Sequence, residues 1–267
     1  MAIRIGCGSW ADPEYVGVLY PPGLPPARRL RVYAQHFDRV ELNNTYYRTP
    51  TAPQFKTWAA QTPAKFLFDF KLHRAFAQKP VTAGPLLAAL RQGVAPLLAV
   101  KKLGCFLLTL APSFGPVRHR LEEIDALRQK LPAGIPLAVE LRDRAWVTGK
   151  QKAATLAFFR ERELSWVALD LPALALPSLL PRMDEVTNPR LAYIRLHGRN
   201  PGWARAKSAA ERHHWDYSTK ELRGIATRIR RLADRAADVH VSVNNHCEDF
   251  APKAALALQK LLGLDAR

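Results

Sequence analysis

The stretch that decides the fold reads Phe66-Leu67-Phe68-Asp69-Phe70-Lys71-Leu72-His73. Large apolar residues fill every second position, and the positions between them include an acid, a base and a histidine. Side chains of a β-strand alternate between its two faces, so this pattern predicts a strand with one apolar face and one polar face. A strand buried between two layers of helices in an open parallel sheet has no need of such a polar face.

Strand-like runs recur along the chain, and helical patterns separate them. Together they predict eight strands, at Ile3–Gly6, Arg39–Asn43, Phe66–Leu72, Leu103–Leu110, Ile135–Leu141, Ser165–Asp170, Leu191–His197 and Val239–Asn244. Strands that alternate with helices indicate a parallel sheet with crossover helices. We therefore predict one α/β domain over residues 1–267, a single closed eight-stranded parallel (β/α)8 barrel of the TIM type that can depart from a regular barrel in detail. An open doubly wound sheet is the alternative.

Two helices carry clear start signals. Thr51-Ala52-Pro53-Gln54 and Ser218-Thr219-Lys220-Glu221 have the spacing of capping boxes. A third helix is predicted to begin near Ala27, and its Leu30, Tyr33, Ala34 and Phe37 repeat at helical spacing and should face the sheet.

Composition limits the class of protein. The chain has 267 residues, 48% of them hydrophobic, which is enough for a sizeable core. It contains no uncharged apolar run of about 18 residues, so no membrane span is expected. The N-terminus lacks the pattern of a signal peptide, and three cysteines fit a reducing compartment, so we predict a cytoplasmic protein.

The net charge is +17, from 40 Lys and Arg against 23 Asp and Glu. A positive field of this size attracts anionic small molecules or nucleic acid. An arginine-rich composition is also typical of GC-rich genomes, so charge alone leaves the partner open. A local basic cluster comprises Arg223, Arg228, Arg230, Arg231 and Arg235.

The polar strand faces are predicted to line the barrel interior, mostly toward the C-terminal ends where barrel enzymes keep their sites. The inward charged residues are four cations and four anions: Arg4, Lys71, Arg142, Arg195, Glu41, Asp69, Glu140 and Asp170. Buried charges are costly unless paired, so a balanced set indicates a network of ion pairs. Arg4 and Asp69 lie deeper in their strands, and we assign them to the scaffold.

Residues nearest the strand ends are the candidate site. We predict catalytic roles for Glu41, Glu140 and His197, because a carboxylate or an imidazole can transfer protons. We predict substrate contacts by cations, amides and aromatic rings at Trp10, Asn43, Tyr46, Lys71, Arg142, Trp146, Arg195 and Asn244. The cations suit an anionic group, the amides can orient substrate or water, and the rings can stack or merely close the barrel mouth.

Several long motifs occur in a fixed order along the chain. They are Gly6-Cys7-Gly8-Ser9-Trp10, Val40-Glu41-Leu42-Asn43-Asn44-Thr45-Tyr46-Tyr47-Arg48-Thr49-Pro50, Phe66-Leu67-Phe68-Asp69-Phe70-Lys71, Leu110-Ala111-Pro112-Ser113-Phe114, Val139-Glu140-Leu141-Arg142 with Trp146, Tyr193-Ile194-Arg195-Leu196-His197-Gly198-Arg199 and Asn244-Asn245-His246. In these motifs the chain resembles the domain of unknown function 72 family, the YecE-like proteins, along nearly its full length. The resemblance implies a TIM-type barrel and a site at these residues, but no particular reaction.

Weaker patterns in the sequence also bear on cofactors. Gly6-Cys7-Gly8-Ser9-Trp10-Ala11 fits a dinucleotide fingerprint, but prolines follow where that fingerprint needs a helix. No cofactor is predicted and no metal ligand is assigned. A divalent ion among Glu41, Glu140, Asp170 and His197 is a weaker alternative, since nearby cations compete for the carboxylates. Cys7 and His246-Cys247 end neighbouring strands and could form a soft-metal or redox pair, although coincidence is the simpler interpretation.

Three functions remain. The leading hypothesis is a hydrolase that acts on a phosphate-bearing substrate, nucleic acid included, by acid–base chemistry at the C-terminal mouth of the barrel. The second is a nucleic-acid-binding protein without turnover. The third is a sugar- or small-acid-converting enzyme. Salt dependence separates the first two from the third, because phosphate contacts release counterions.

Overall fold

Eight parallel strands form one sheet in the order β1-β8-β7-β6-β5-β4-β3-β2 in the computed structural model, which describes residues 1–80, 84–174, 176–245 and 248–264. The strands are β1 Ala2–Cys7, β2 Arg39–Leu42, β3 Leu67–Lys71, β4 Leu103–Thr109, β5 Leu137–Glu140, β6 Ser165–Asp170, β7 Leu191–Leu196 and β8 Asp238–Val243. Each lies within a residue or two of its predicted run. The order is that of a barrel, which confirms the α/β barrel and excludes the open doubly wound sheet.

Helices follow most of the strands. They are α1 Pro26–His36, α2 Ala52–Ala60, α3 Ala75–Gln78, α4 Gly84–Ala99, α5 Glu122–Arg128, α6 Gly149–Glu161, α7 Ala209–His213, α8 Thr219–Ala233 and α9 Phe250–Leu262. Short 3-10 turns occur at Pro13–Tyr15, Asn43–Tyr46 and Arg144–Val147. The described part of the β6–β7 connection contains no helix, so the βα repeat is interrupted there. Within the described residues, no helix is both long and apolar enough to cross a bilayer.

The predicted helix starts are confirmed. Thr51 and Ser218 each accept a hydrogen bond from the backbone three residues on, and both capping boxes are complete. Helix α1 begins at Pro26, and its Leu30, Tyr33 and Ala34 are buried. Since no α-helix starts from the glycine turn after β1, the dinucleotide fingerprint has no structural counterpart.

The barrel closes at an irregular seam between β1 and β2, the two ends of the strand order. Instead of a ladder, the hydroxyl of Tyr33 bridges the strands: it accepts from the Cys7 amide at 2.7 Å and donates to the Arg39 carbonyl at 3.1 Å. Gly6 permits this approach, because a β-carbon there would lie 2.2 Å from the Arg39 carbonyl oxygen. One helix side chain therefore satisfies backbone groups that a regular barrel would pair directly.

The apolar strand faces point outward, as the alternation predicts. In β3, Phe68 and Phe70 are fully buried, and the Phe70 ring lies 6.0 Å from that of Phe55 on α2. The helices thus cover an aromatic layer. The polar faces are left to fill the inside of the barrel, where the site is built.

Candidate active site

The deepest polar layer consists of Arg39, Asp69, Tyr193 and His240, which we call the lower layer. All four side chains are buried. The Arg39 guanidinium forms a short ion pair with Asp69 and donates to the Tyr193 hydroxyl at 2.8 Å, while His240 Nδ1 lies 3.0 Å from Asp69. Burial alone would raise the pKa of Asp69, but the charges of Arg39 and His240 outweigh it and lower that pKa.

This layer supports the assignment of Asp69 to the scaffold. Gly104 of β4 makes room for it, because a β-carbon there would lie 2.4 Å from Asp69 Oδ1. Sequence reasoning missed Arg39, although its two-residue spacing from Glu41 and Asn43 was a usable signal. Arg4 also pairs structurally, with Asp38 at 3.1 Å. Its side chain is partly exposed, so it lies at the N-terminal edge of the barrel and not deep inside.

Above the lower layer, Arg195 joins Glu41 and Glu140 into what we call the central bridge. Arg195 donates to both oxygens of Glu41, at 3.0 Å and 2.6 Å, and makes a short ion pair with Glu140. The Tyr193 hydroxyl donates to Glu41 at 3.0 Å and links the two layers. Strands β2, β5 and β7 therefore meet through one guanidinium inside the barrel.

The bridge sets the charge state of its carboxylates. Burial opposes ionisation of Glu41, but Arg195 and Lys71 outweigh it and lower the pKa to about 2. Burial likewise opposes ionisation of Glu140, but the charges of Arg195 and Arg142 outweigh it and lower the pKa of Glu140. Both carboxylates are therefore ionised at neutral pH, and neither is basic enough to remove a proton readily.

A chain of hydrogen bonds crosses the barrel at the level of the strand ends. Lys71 Nζ donates to Asn43 at 3.1 Å, Asn43 donates to Asn244 at 2.8 Å, and Asn244 donates to Ser242 at 2.8 Å. The Tyr46 ring lies 4.7 Å from Lys71 Nζ, in cation–π range. Three predicted substrate-contact residues are thus joined in one polar row, with Tyr46 beside its lysine.

His197 and Arg142 meet at what we call the mouth cavity, a space of about 110 Å³ whose lining includes Glu140, Arg142, His197, Trp203, Arg212 and His213. His197 is buried, and neither ring nitrogen has a hydrogen-bond partner among the described residues. Its Nε2 lies 3.8 Å from Glu140, beyond hydrogen-bond reach. Burial, with the charge of Arg195, lowers the pKa of His197 to about 4, so the imidazole is neutral at pH 7.

Arg142 is held differently from Arg195. Its Nε donates to Glu140 at 2.7 Å, and its side chain is 38% exposed. Its two terminal nitrogens make no hydrogen bond within the described part of the chain. Glu140 thus aims a guanidinium whose outer donors are free for a ligand.

A larger cavity of about 630 Å³, which we call the side cavity, lies on the β1–β2 side of the barrel. Trp10, Glu41, Asn43 and Tyr47 line it, and its lining also includes the acids Asp12, Glu14 and Glu248. The mouth cavity and the side cavity each reach one carboxylate of the central bridge. Together they offer a small cationic compartment and a larger aromatic compartment with acidic walls.

Two predicted residues lie elsewhere. Trp146 is buried, donates to the Phe114 carbonyl at 2.6 Å and stacks on the Phe114 ring, so it belongs to the packing beneath the helices and lines neither of the two cavities. Asp170 was expected to point inward, and this is wrong. Leu169 pairs in register with the inward Arg195, which turns Asp170 outward.

Asp170 instead anchors the helix layer. It accepts hydrogen bonds from Arg199, from Tyr217 and from Arg228 of α8. Arg228 is itself buried and also pairs with Asp184 at 2.7 Å. The predicted basic cluster is therefore not a single surface patch, because Arg228 forms its ion pairs inside the protein.

The residues weighed for a divalent ion are not brought together, since Asp170 faces away from Glu41, Glu140 and His197. Elsewhere, Asp69, Cys105 and His240 have their donor atoms within 4.8 Å of one another. The Arg39 guanidinium already binds Asp69, and its charge opposes a second cation at that carboxylate. Cys7 is buried and free, whereas His246 and Cys247, its predicted partners, lie outside the described residues.

The chain is similar in sequence to proteins of two bacteria. The chain is 24% identical to the UPF0759 protein YunF of Bacillus subtilis, across 98% of this chain and 95% of that protein. It is 26% identical to the UPF0759 protein YecE of Escherichia coli K12, across 63% of this chain and 59% of YecE.

Solved structures agree along the whole fold. A DUF72 family protein of Enterococcus faecalis superposes with a TM-score of 0.88 at 28% identity, over 99% of this chain and 97% of that one. A DUF72 family protein of Thermotoga maritima superposes with a TM-score of 0.85 at 29% identity, over 98% and 100% of the two chains. The family model described as protein of unknown function DUF72 matches residues 4–267. The chain therefore belongs to the DUF72 family.

Proposed function

We propose that this protein is a hydrolase that binds a phosphate-bearing substrate at the barrel mouth and cleaves a phosphoester by acid–base chemistry. One observation carries the proposal: His197 is buried in the mouth cavity, and among the described residues neither its ring nitrogens nor the outer donors of the adjacent Arg142 have a hydrogen-bond partner. A buried polar group without a partner is destabilising, so its presence at a cavity favours a ligand that supplies the missing bond.

The mouth cavity suits one phosphate group. Its volume of about 110 Å³ corresponds to roughly three or four water molecules. Arg142 and Arg212 both line it, and a guanidinium can donate two parallel hydrogen bonds to phosphate oxygens. The remainder of the substrate would extend over the polar row of Asn43, Lys71 and Asn244 toward the aromatic walls of the side cavity.

His197 is the acid–base group in this proposal. Its pKa is low chiefly because of burial and, after that, because of the Arg195 charge. A bound phosphate dianion would offset the neighbouring guanidinium charges and raise that pKa toward neutrality. The imidazole would then take a proton from the attacking water. Glu41 and Glu140 would act through charge: Glu140 orients Arg142, and both hold Arg195.

We favour a small substrate over a nucleic-acid polymer. The net charge of +17 supports either, but Asp12, Glu14 and Glu248 in the side cavity would repel a second stretch of phosphates. Arg228, from the predicted basic cluster, is paired internally with Asp170 and Asp184.

The binding test is calorimetry with inorganic phosphate at low salt. Arg142→Ala should weaken binding about 10-fold to 100-fold, the effect of losing one charged hydrogen-bonding partner. Arg223→Ala removes the same charge from an exposed position on α8 and should leave binding unchanged. Absence of phosphate binding, or equal weakening in both variants, would refute a built anion site.

The turnover test uses p-nitrophenyl phosphate and bis-p-nitrophenyl phosphate. We expect release of nitrophenolate by the wild type, and a loss of about 10²–10⁴-fold in His197→Asn, as for removal of a general acid–base group. Binding without release of nitrophenolate from either compound would argue against hydrolysis while leaving the anion site in place.

A further inference from the structure

Lys71 occupies an unusual electrostatic position at the end of β3. Its ammonium group donates to the neutral amide of Asn43 at 3.1 Å and lies over the Tyr46 ring at 4.7 Å. No carboxylate among the described residues lies within salt-bridge distance of its Nζ. A lysine inside a barrel thus faces acceptors that carry no full charge.

The nearby carboxylates are already engaged. Arg195 takes both oxygens of Glu41, and Glu140 is shared by Arg195 and Arg142. The charges that act on Lys71 are therefore two guanidiniums, Arg195 and Arg142, and two carboxylates that these same guanidiniums hold. The guanidiniums of the central bridge therefore offset much of the carboxylate charge that would otherwise keep the lysine protonated.

The result is an amine that titrates far below the range of an ordinary lysine. Burial, followed by the charge of Arg195, lowers the pKa of Lys71 to about 7, and Glu41 opposes this only in part. An ordinary lysine with a pKa near 10.4 has on the order of one neutral amine in several thousand at that pH. Lys71 also remains partly exposed, so a molecule entering the mouth can meet it.

Lys102 shows that this condition is particular to Lys71. Burial also lowers the pKa of Lys102, but its Nζ donates to the carbonyls of Ala59 and Thr62, at 2.6 Å and 2.7 Å, and to the Thr62 hydroxyl at 2.9 Å. Its three donors are thus bound to the protein, and it lies outside the barrel mouth. Lys102 is therefore an internal control: a lysine whose pKa is lowered by burial but whose amine is not available to react.

We propose that Lys71 is a nucleophilic amine that condenses with the carbonyl carbon of a small substrate carrying an anionic group. Desolvation and a neighbouring cation are the two means by which proteins activate a lysine for this chemistry. Arg142, with its free outer donors, would hold the anionic group, and Asn43 would orient the amine.

The step balances without an oxidant or a reductant. The nitrogen lone pair of the neutral amine adds to the carbonyl carbon, and a proton passes from nitrogen to oxygen to give a carbinolamine. Its hydroxyl then leaves as water after gaining one proton, and the nitrogen lone pair forms the protonated imine. The inference does not rest on phosphoester hydrolysis. It adds a second chemistry at the same mouth, imine formation with a small anionic carbonyl compound.

The test uses pyridoxal 5′-phosphate, an aldehyde with a phosphate group, as the probe. The folded protein is incubated with limiting probe at pH 7, reduced with borohydride and mapped by peptide mass spectrometry. We expect the adduct chiefly on Lys71, at least about tenfold above any exposed lysine, and none on Lys102. The labelling rate should rise through pH 7, following the neutral fraction of the amine.

Two comparisons complete the test. Arg142→Ala removes one of the charges that lower the Lys71 pKa, so it should slow labelling by both aldehydes. It should slow labelling by pyridoxal 5′-phosphate about tenfold more than labelling by pyridoxal, which lacks the phosphate. Labelling spread evenly over the exposed lysines, or a Lys71 labelling rate that rises only above pH 9, would overturn the proposal. The wild-type map decides this even where Lys71→Met does not fold, and the result is independent of nitrophenolate release.

Discussion

The lower layer and the mouth of the barrel contain the same kinds of side chain and treat them differently. In the lower layer, Arg39 and Asp69 are in direct contact, so each buried charge has its counterion. At the mouth, Lys71 has no carboxylate in contact and His197 has no hydrogen-bond partner among the described residues. Ion pairs stabilise the lower layer. At the mouth, polar groups without a protein partner can form hydrogen bonds to a ligand.

The central bridge lies between the lower layer and the mouth. Arg195 pairs with both Glu41 and Glu140, which joins three strands and engages the carboxylates nearest to Lys71 and His197. Because the Arg195 guanidinium both joins the strands and engages the carboxylates, the lack of partners at Lys71 and His197 follows from the structure of the scaffold. Stability–function trade-offs of this kind are common where a site is preorganised for a ligand.

The largest expected effect is that of Asp69→Asn. It leaves the buried Arg39 without its counterion, so the free energy of unfolding in denaturant should fall by about 3–5 kcal/mol at pH 7. Asp38→Asn is the matched control: Asp38 also binds an arginine, but its side chain is 45% exposed, and the loss should stay below about 1 kcal/mol. Equal losses in the two variants would remove the distinction between the lower layer and the barrel edge.

The same variant has a pH signature. The native pKa of Asp69 is lowered, so its stabilising contribution is complete above the unfolded pKa of about 3.9 and is lost as the pH falls below it. Asp69→Asn should therefore unfold with less pH dependence than the wild type below pH 4. An unchanged acid limb would show that the Arg39 pair does not stabilise the ionised form.

An intermediate effect is expected for Glu140→Gln. Arg195 keeps its two bonds to Glu41, and Arg142 can turn to solvent, so only part of the charge network is left unpaired. The free energy of unfolding should fall by about 1–3 kcal/mol, the range for hydrogen bonds to charged groups. Denaturant unfolding places it between Asp69→Asn and His197→Asn. A fall in the free energy of unfolding as large as that of Asp69→Asn would show that Glu140 serves chiefly to stabilise buried charge, as Asp69 does in the lower layer.

The smallest effect at neutral pH is that of His197→Asn, which should change the free energy of unfolding by less than about 1 kcal/mol, or raise it, because no native hydrogen bond is lost. Its pH dependence is the sharper readout. Since folding lowers the pKa of His197 from 6.5 to about 4, the wild type should lose about 2 kcal/mol between pH 7.5 and pH 5.

His197→Asn should lack that loss, and His214→Asn, at an exposed histidine, should retain it. Identical stability curves for all three proteins between pH 7.5 and pH 5 would mean that His197 is not held neutral by burial. The contrast between the two regions would then rest on Lys71 alone.

Local patterns were sufficient for the strands and for most of the inward side chains. Alternation with a period of two is a property of each strand by itself, so Phe66–His73 identifies its polar face without reference to any neighbour. The capping boxes at Thr51 and Ser218 are local in the same way, and the structure contains both.

Where a strand is apolar on both faces, the sequence could not say which way its terminal acid points. Strand β6 reads Ser165-Trp166-Val167-Ala168-Leu169-Asp170, and only the pairing of Leu169 with Arg195 shows that Asp170 faces α8. The position of Trp146 was open for a related reason: a residue just past a strand end can enter the mouth or fold back beneath a helix, and here it packs on Phe114.

The sequence by itself determined an eight-stranded α/β barrel with a polar interior, because alternation and capping are encoded over a few residues. Only the tertiary structure decided which charges pair. Arg195 contacts Glu41 and Glu140, which lie 154 and 55 positions away in the sequence. The stagger of the strands around the barrel determines which side chains come into contact. Within the described part of the chain, it leaves Lys71 without a carboxylate in contact and His197 without a hydrogen-bond partner, and the two proposals concern those residues.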